Sequence, residues 1–83
     1  MKIYMLCFQK YNDVNNIQVY GHFSALEKAQ ETLIEMSKRY KKDLVTFNKN
    51  GYWSFHISME KFYNSDEYKD KFDFWFIAES ELK

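Results

Sequence analysis

From Lys2 to Gln9 the chain reads Lys-Ile-Tyr-Met-Leu-Cys-Phe-Gln, with Ile3, Met5 and Cys7 alternating with Tyr4, Leu6 and Phe8. Successive side chains of a strand point to opposite faces, so this strand is apolar on both, as interior strands are. Asn12, Asp13, Asn15 and Asn16 then tolerate turn geometry, and Ile17 to Phe23 returns as a second strand. Gly21 within it marks a bulge or a close backbone approach.

The period then changes. Leu26, Ala29, Leu33, Met36 and Tyr40 recur at steps of three and four, the stripe of an amphipathic helix over about 25–42. Ser24-Ala25-Leu26-Glu27 has the form of a capping box, in which the serine oxygen accepts from the Glu27 N–H. Glu27, Glu31 and Glu35 precede Lys38, Arg39, Lys41 and Lys42, an order that complements the helix dipole.

Leu44–Asn48 and Tyr52–Phe62 read as a hairpin. A two-residue turn at Asn50-Gly51 would set Phe47 opposite Ser54. A type I turn followed by a left-handed Gly51 sets Phe47 opposite Trp53 and Val45 opposite Phe55, which is preferred because apolar meets apolar. Trp53, Phe55, Ile57 and Met59 would then face the core, with Ser54, His56, Ser58 and Glu60 outward. Ser65 can cap a single helical turn, and Lys71–Glu79 forms the last strand. In that strand Phe72, Phe74, Phe76 and Ala78 point one way, Trp75 and Ile77 the other. The expected fold is one α+β domain over residues 1–83: a four- to five-stranded antiparallel sheet with one amphipathic helix, ββαββ plus a C-terminal strand.

Composition sharpens this picture at one point. A chain of 83 residues buries only about 60–65% of its unfolded surface, yet this one has 8 Phe, 7 Tyr and 2 Trp to house. Each such side chain can bury roughly 150–250 Å². One helix covers one face of a sheet, so a second apolar face is left over. The pairing drawn above puts Tyr4, Leu6, Phe8, Tyr20, Trp75 and Ile77 on that face, opposite Ile3, Met5, Phe74 and Phe76. Left in water, it would exceed the few hundred Å² that monomers tolerate. A curled sheet, a homodimer or a docked macromolecule would each cover it, and tyrosine and tryptophan are enriched at interface centres.

Charge and chemistry narrow the alternatives. Twelve basic and twelve acidic residues give a net charge of zero, which argues against a dedicated nucleic-acid or membrane-surface binder. Strands 2–9, 17–23 and 52–60 hold one lysine, Lys2, so the aromatics are not interleaved with cations as on single-strand nucleic-acid platforms. Cys7 is the only cysteine, which precludes an internal disulfide and fits a reducing compartment. In an apolar strand it reads as a small buried hydrophobe before a nucleophile. His22 and His56 lack ligand spacing, and Gly21-His22-Phe23-Ser24 lacks the glycine-rich cradle and lysine of a phosphate loop. Asp66, Glu67, Asp70 and Asp73 lack the alternation of a calcium loop. No catalytic residue, metal site or cofactor is expected. Neither Ile3–Phe8 nor Phe74–Ala78 is long enough for a signal or a membrane span, so a soluble cytoplasmic protein is expected.

The start Met-Lys-Ile-Tyr and the stretch Val19-Tyr20-Gly21-His22-Phe23-Ser24-Ala25-Leu26-Glu27-Lys28-Ala29 resemble a strand-to-helix signature of small phage and prophage proteins. In that family the junction runs hydrophobic-x-Gly-x-Phe/Tyr-Ser-x-x-Glu-Lys-Ala. The resemblance spans residues 1–8 and 19–29 and carries over no catalytic or binding residue. It implies a mobile genetic element in an AT-rich host and, by class analogy, a protein that blocks a host factor such as a defence nuclease. The expected function is therefore a non-enzymatic protein-interaction module, binding a protein partner or itself as a homodimer. A single-stranded nucleic-acid-binding domain is the alternative.

Overall fold

A computed structural model describes residues 1–10, 15–49, 51–58, 60–61, 64 and 73–81. Among the described residues five strands form one antiparallel sheet, accompanied by the helix Leu26–Ser37, so the α+β class holds. The strands are β1 (Lys2–Gln9), β2 (Ile17–Phe23), β3 (Val45–Asn48), β4 (Ser54–Ile57) and β5 (Phe74–Glu81), and the helix is α1 (Leu26–Ser37). Their order across the sheet is β2-β1-β5-β4-β3. The last strand thus lies between the two hairpins and joins them. Its apolar residues on both faces suit that interior place.

β1 meets β2 with one irregularity. Leu6 lies opposite Gly21 and Cys7 opposite Val19, so Tyr20 is the extra residue of a bulge beside the glycine. A Cβ on Gly21 would stand 3.5 Å from the Phe23 ring, an ordinary contact. The bulge, rather than crowding, explains why this part of β2 departs from strict alternation.

The helix is shorter than its apolar period implied. It starts one residue later than a capping box would place it. Ala25, extended at φ −124° and ψ 135°, is the N-cap, and no side chain caps it. Ser24 therefore lies one position too far out to reach the first turn's N–H groups, and the capping box is not formed. At the other end the Ser37 hydroxyl donates to the Ile34 carbonyl at 2.7 Å, and the chain leaves the helix near Lys38. A 3-10 turn, Lys42–Leu44, follows and drives Leu44 inward. Tyr40 is buried from this non-helical segment, and the cations Lys38–Lys42 stand beyond the last turn. The stripe itself is sound: Ala29, Leu33 and Met36 are all buried.

The second hairpin is shifted by two from the preferred pairing. Phe47 lies opposite Phe55 and Val45 opposite Ile57. A shift of two keeps every side chain on its face, so apolar still meets apolar. The extra length goes into the connection, where Gly51 (φ 62°) and Trp53 (φ 60°) are both left-handed. Trp53 leaves the strand and packs edge-on against Phe47, ring centroids 5.9 Å apart. β4 ends at Ile57, short of Phe62, and β5 begins at Phe74, later than Lys71. Met59 and the turn after Ser65 lie outside the described residues.

The core lies between α1 and one face of the sheet. Leu6, Leu33 and Phe55 are fully excluded from solvent, and Ile57, Ile77 and Trp75 nearly so. Each such burial is worth about 1.5–3 kcal/mol over exposure. Trp75 is its hub, 4.7 Å from Phe8, 5.9 Å from Phe55 in a stacked pair, and 5.9 Å from Tyr20.

Candidate protein interface

Five of the six residues expected on an open face belong to the covered one. Leu6, Trp75 and Ile77 are buried core residues, and Tyr4 and Phe8 are half-buried against that core. Only Tyr20 stays exposed, at 49%, with its ring edge against Trp75 at the margin of the core. That assignment is corrected: α1 sits on the side that Tyr4, Leu6 and Phe8 share with Trp75 and Ile77.

The reason is a question of parity. Period-two alternation says which residues share a face, but both faces of β1 and β5 are apolar, so it cannot say which one the helix takes. The second hairpin decides. Its faces differ in character: Val45, Phe47, Phe55 and Ile57 on one, Thr46, Asn48, Ser54 and His56 on the other. The β4–β5 pairing sets Phe55 beside Trp75 and His56 beside Phe74. The apolar side of the hairpin is thereby continuous with Trp75 and Ile77, and the helix follows it.

The face left open carries the other set. Antiparallel partners share a face, so Met5 stands between His22 and Ala78, and Cys7 between Val19 and Phe76. Ile3, Met5, Phe74, Phe76 and Ala78 are half-buried, whereas Ile17 and Val19 are exposed at 49% and 46%. The Phe74 and Phe76 rings stack with centroids 5.3 Å apart. No described helix crosses this side of the sheet; α1 packs on the other. At its margin β2, an edge strand, has the sequence Ile-Gln-Val-Tyr-Gly-His-Phe, with neither a charged side chain nor a proline. Such edges are ready templates for pairing with another chain.

The described titratable groups on this face include Cys7, His22 and His56. Cys7 is buried between Val19 and Phe76, and its thiol donates weakly to the Met5 carbonyl at 3.8 Å. Burial pushes its pKa above the ordinary 9.0, which holds it as an unreactive thiol. His22 and His56 are exposed on strands, opposite Met5 and Phe74 respectively. Among the described residues no three His, Cys, Asp or Glu side chains gather as a metal site. No helix among them is long and apolar enough to cross a membrane. Asp73 is buried, and its backbone carbonyl accepts from the Ile57 N–H at 2.7 Å; the other acidic residues weighed with it, Asp66, Glu67 and Asp70, lie outside the described residues.

No protein-family model, curated protein or solved structure matches this chain.

Proposed function

We propose that this chain is a non-enzymatic protein-interaction module, engaging a protein partner or a second copy of itself through the open face of its sheet. One observation carries the reading. The side of the sheet away from α1 presents Met5, Phe74 and Phe76 next to the exposed Ile17 and Val19 of an uncharged edge strand. Apolar surface of this kind, continuous with an unguarded edge, is what interfaces are built from. The finer form of the proposal is a cytoplasmic inhibitor of a host defence factor. It is supported by the lone, reduced Cys7 and by the resemblance of residues 1–8 and 19–29 to phage proteins.

Light scattering across a concentration series, with an apolar-surface dye, tests the reading. Concentration-dependent association or dye binding that is lost in Val19→Lys is the expected result. A strict monomer that binds no dye contradicts it. Titration with a single-stranded oligonucleotide across salt concentrations addresses the nucleic-acid alternative, whose affinity must fall steeply as salt rises.

A further inference from the structure

A second surface stands apart from the open face, where the end of α1 meets β3. A groove of about 630 Å³ runs there, with Ile34, Val45 and Phe47 in its lining and Lys38, Lys42 and Lys49 along its sides. Among the described residues no acidic side chain lines it. The neighbouring carboxylate, Asp43, is already held by Lys61 at 3.1 Å, and that ion pair draws its pKa below the ordinary 3.8. Three lysines therefore stand beside an apolar trough, with no anion among its described lining residues. Lys49 also lies over the rings of Phe47 and Trp53, 5.8 and 5.3 Å from their centroids.

The backbone adds a second recognition element. β3 is the last strand of the sheet on this side. The Ser58 N–H donates to the Leu44 carbonyl at 2.6 Å, which makes Leu44 and Ser58 a hydrogen-bonded pair. Such pairs alternate along an antiparallel ladder, so Thr46 and Asn48 direct their peptide groups toward β4. Val45 and Phe47 consequently turn outward: the Val45 N–H donates to the Lys42 carbonyl, while the Val45 C=O and the Phe47 N–H and C=O face the outer edge. Their side chains are the same two that line the groove. A strand laid along β3 would bond to those peptide groups and drop every second side chain into the trough.

We propose that this groove takes an extended acidic peptide segment of another protein, added to the sheet as a strand beside β3. Residues opposite Val45 and Phe47 would be apolar, and carboxylates at the ends would meet Lys38, Lys42 and Lys49. Strand addition supplies affinity through the main chain, and the pockets between alternate side chains supply selectivity. Ile34, Val45, Tyr40 and Phe47 line the groove, and it is the outward peptide groups of β3, which a peptide can pair with and a base cannot, that favour a peptide over stacked bases. This extends the protein-interaction reading but uses a different surface, so either can fail alone.

The probe is the labelled peptide acetyl-Glu-Thr-Val-Thr-Val-Thr-Glu-amide, with a second peptide carrying Lys in place of both Glu. Fluorescence anisotropy is expected to show binding of the first and at least tenfold weaker binding of the second. Combined Lys38→Glu, Lys42→Glu and Lys49→Glu should invert that preference, with an unchanged circular dichroism spectrum as the folding check. Lys49→Glu alone, a single exposed substitution, serves as a second reading, with an expected loss of about threefold. N-methylation of the two valines should abolish binding if the main chain is read. Val19→Lys, at the open face, should leave peptide affinity unchanged. Equal affinity for the two peptides, or tighter binding of a ten-residue oligothymidylate at the same salt, would overturn the proposal.

Discussion

The two faces of this sheet are built from the same kinds of residue and have opposite fates. On one, Leu6 and Phe55 are wholly withdrawn from water beneath α1; on the other, Val19 keeps nearly half its surface exposed, and the Phe74–Phe76 stack is only half-buried. Hydrophobicity alone does not separate them. What does is the one-sided hairpin β3–β4, whose Thr46, Asn48, Ser54 and His56 make one side unfit for a core. Where a sheet has a single helix to cover it, the strand with the most polar back selects the face. The remaining apolar face is then available for other contacts.

The comparison breaks most visibly on a matched pair of phenylalanines. Phe55→Ala empties a fully buried site stacked on Trp75 and should cost about 3–5 kcal/mol. Phe76→Ala, on the open face, should cost no more than about 1–2 kcal/mol because much less apolar surface leaves contact. Urea denaturation of both variants gives the two numbers, and equal values would erase the distinction between faces.

Cys7 sharpens the contrast from within the open face, since it is the one residue there sealed by its neighbours, Val19 and Phe76. Its folded pKa is raised, so the stability it contributes is complete below the ordinary 9.0 and is lost as pH climbs through the higher folded value. The difference in melting temperature between the wild type and Cys7→Ala should accordingly be constant at neutral pH and shrink above about pH 9. A difference that stays flat through pH 9 and above would mean that the thiol is not buried.

Val19→Lys should have the smallest effect on stability, within about 0.5 kcal/mol, because the side chain is already in water. Its effect on association should be the largest of the series, since a charge is placed on an otherwise uncharged edge strand. Thermal melting and light scattering of the same sample separate the two quantities.

Much of this was legible in the chain. The helix stripe from Leu26 to Met36, the five strands and the bulge beside Gly21 all follow from local patterns of period two or 3.6. Long-range registers did not. The helix face required the β4–β5 pairing, which joins Phe55 to Trp75 across residues far apart in sequence. The hairpin shift escaped because Trp53, a strand-favouring residue, instead takes a left-handed turn position to pack on Phe47. The capping box failed for a similar reason, as the turn after Phe23 spends one more residue before the helix begins. The groove at β3 had one visible signal, the cluster Lys38–Lys42. Helix-dipole complementation accounted for it until the helix proved to end at Ser37.

Adjacent residues of β1 put the choice of face to a single test. Leu6 and Met5 are similar in size, share one strand and point to opposite sides of it. Melting of Leu6→Lys and Met5→Lys should show the first unfolded at room temperature and the second folded, its ammonium reaching solvent from the side without the helix. A folded Leu6→Lys, or a Met5→Lys that unfolds just as fully, would contradict the assignment of core and open face.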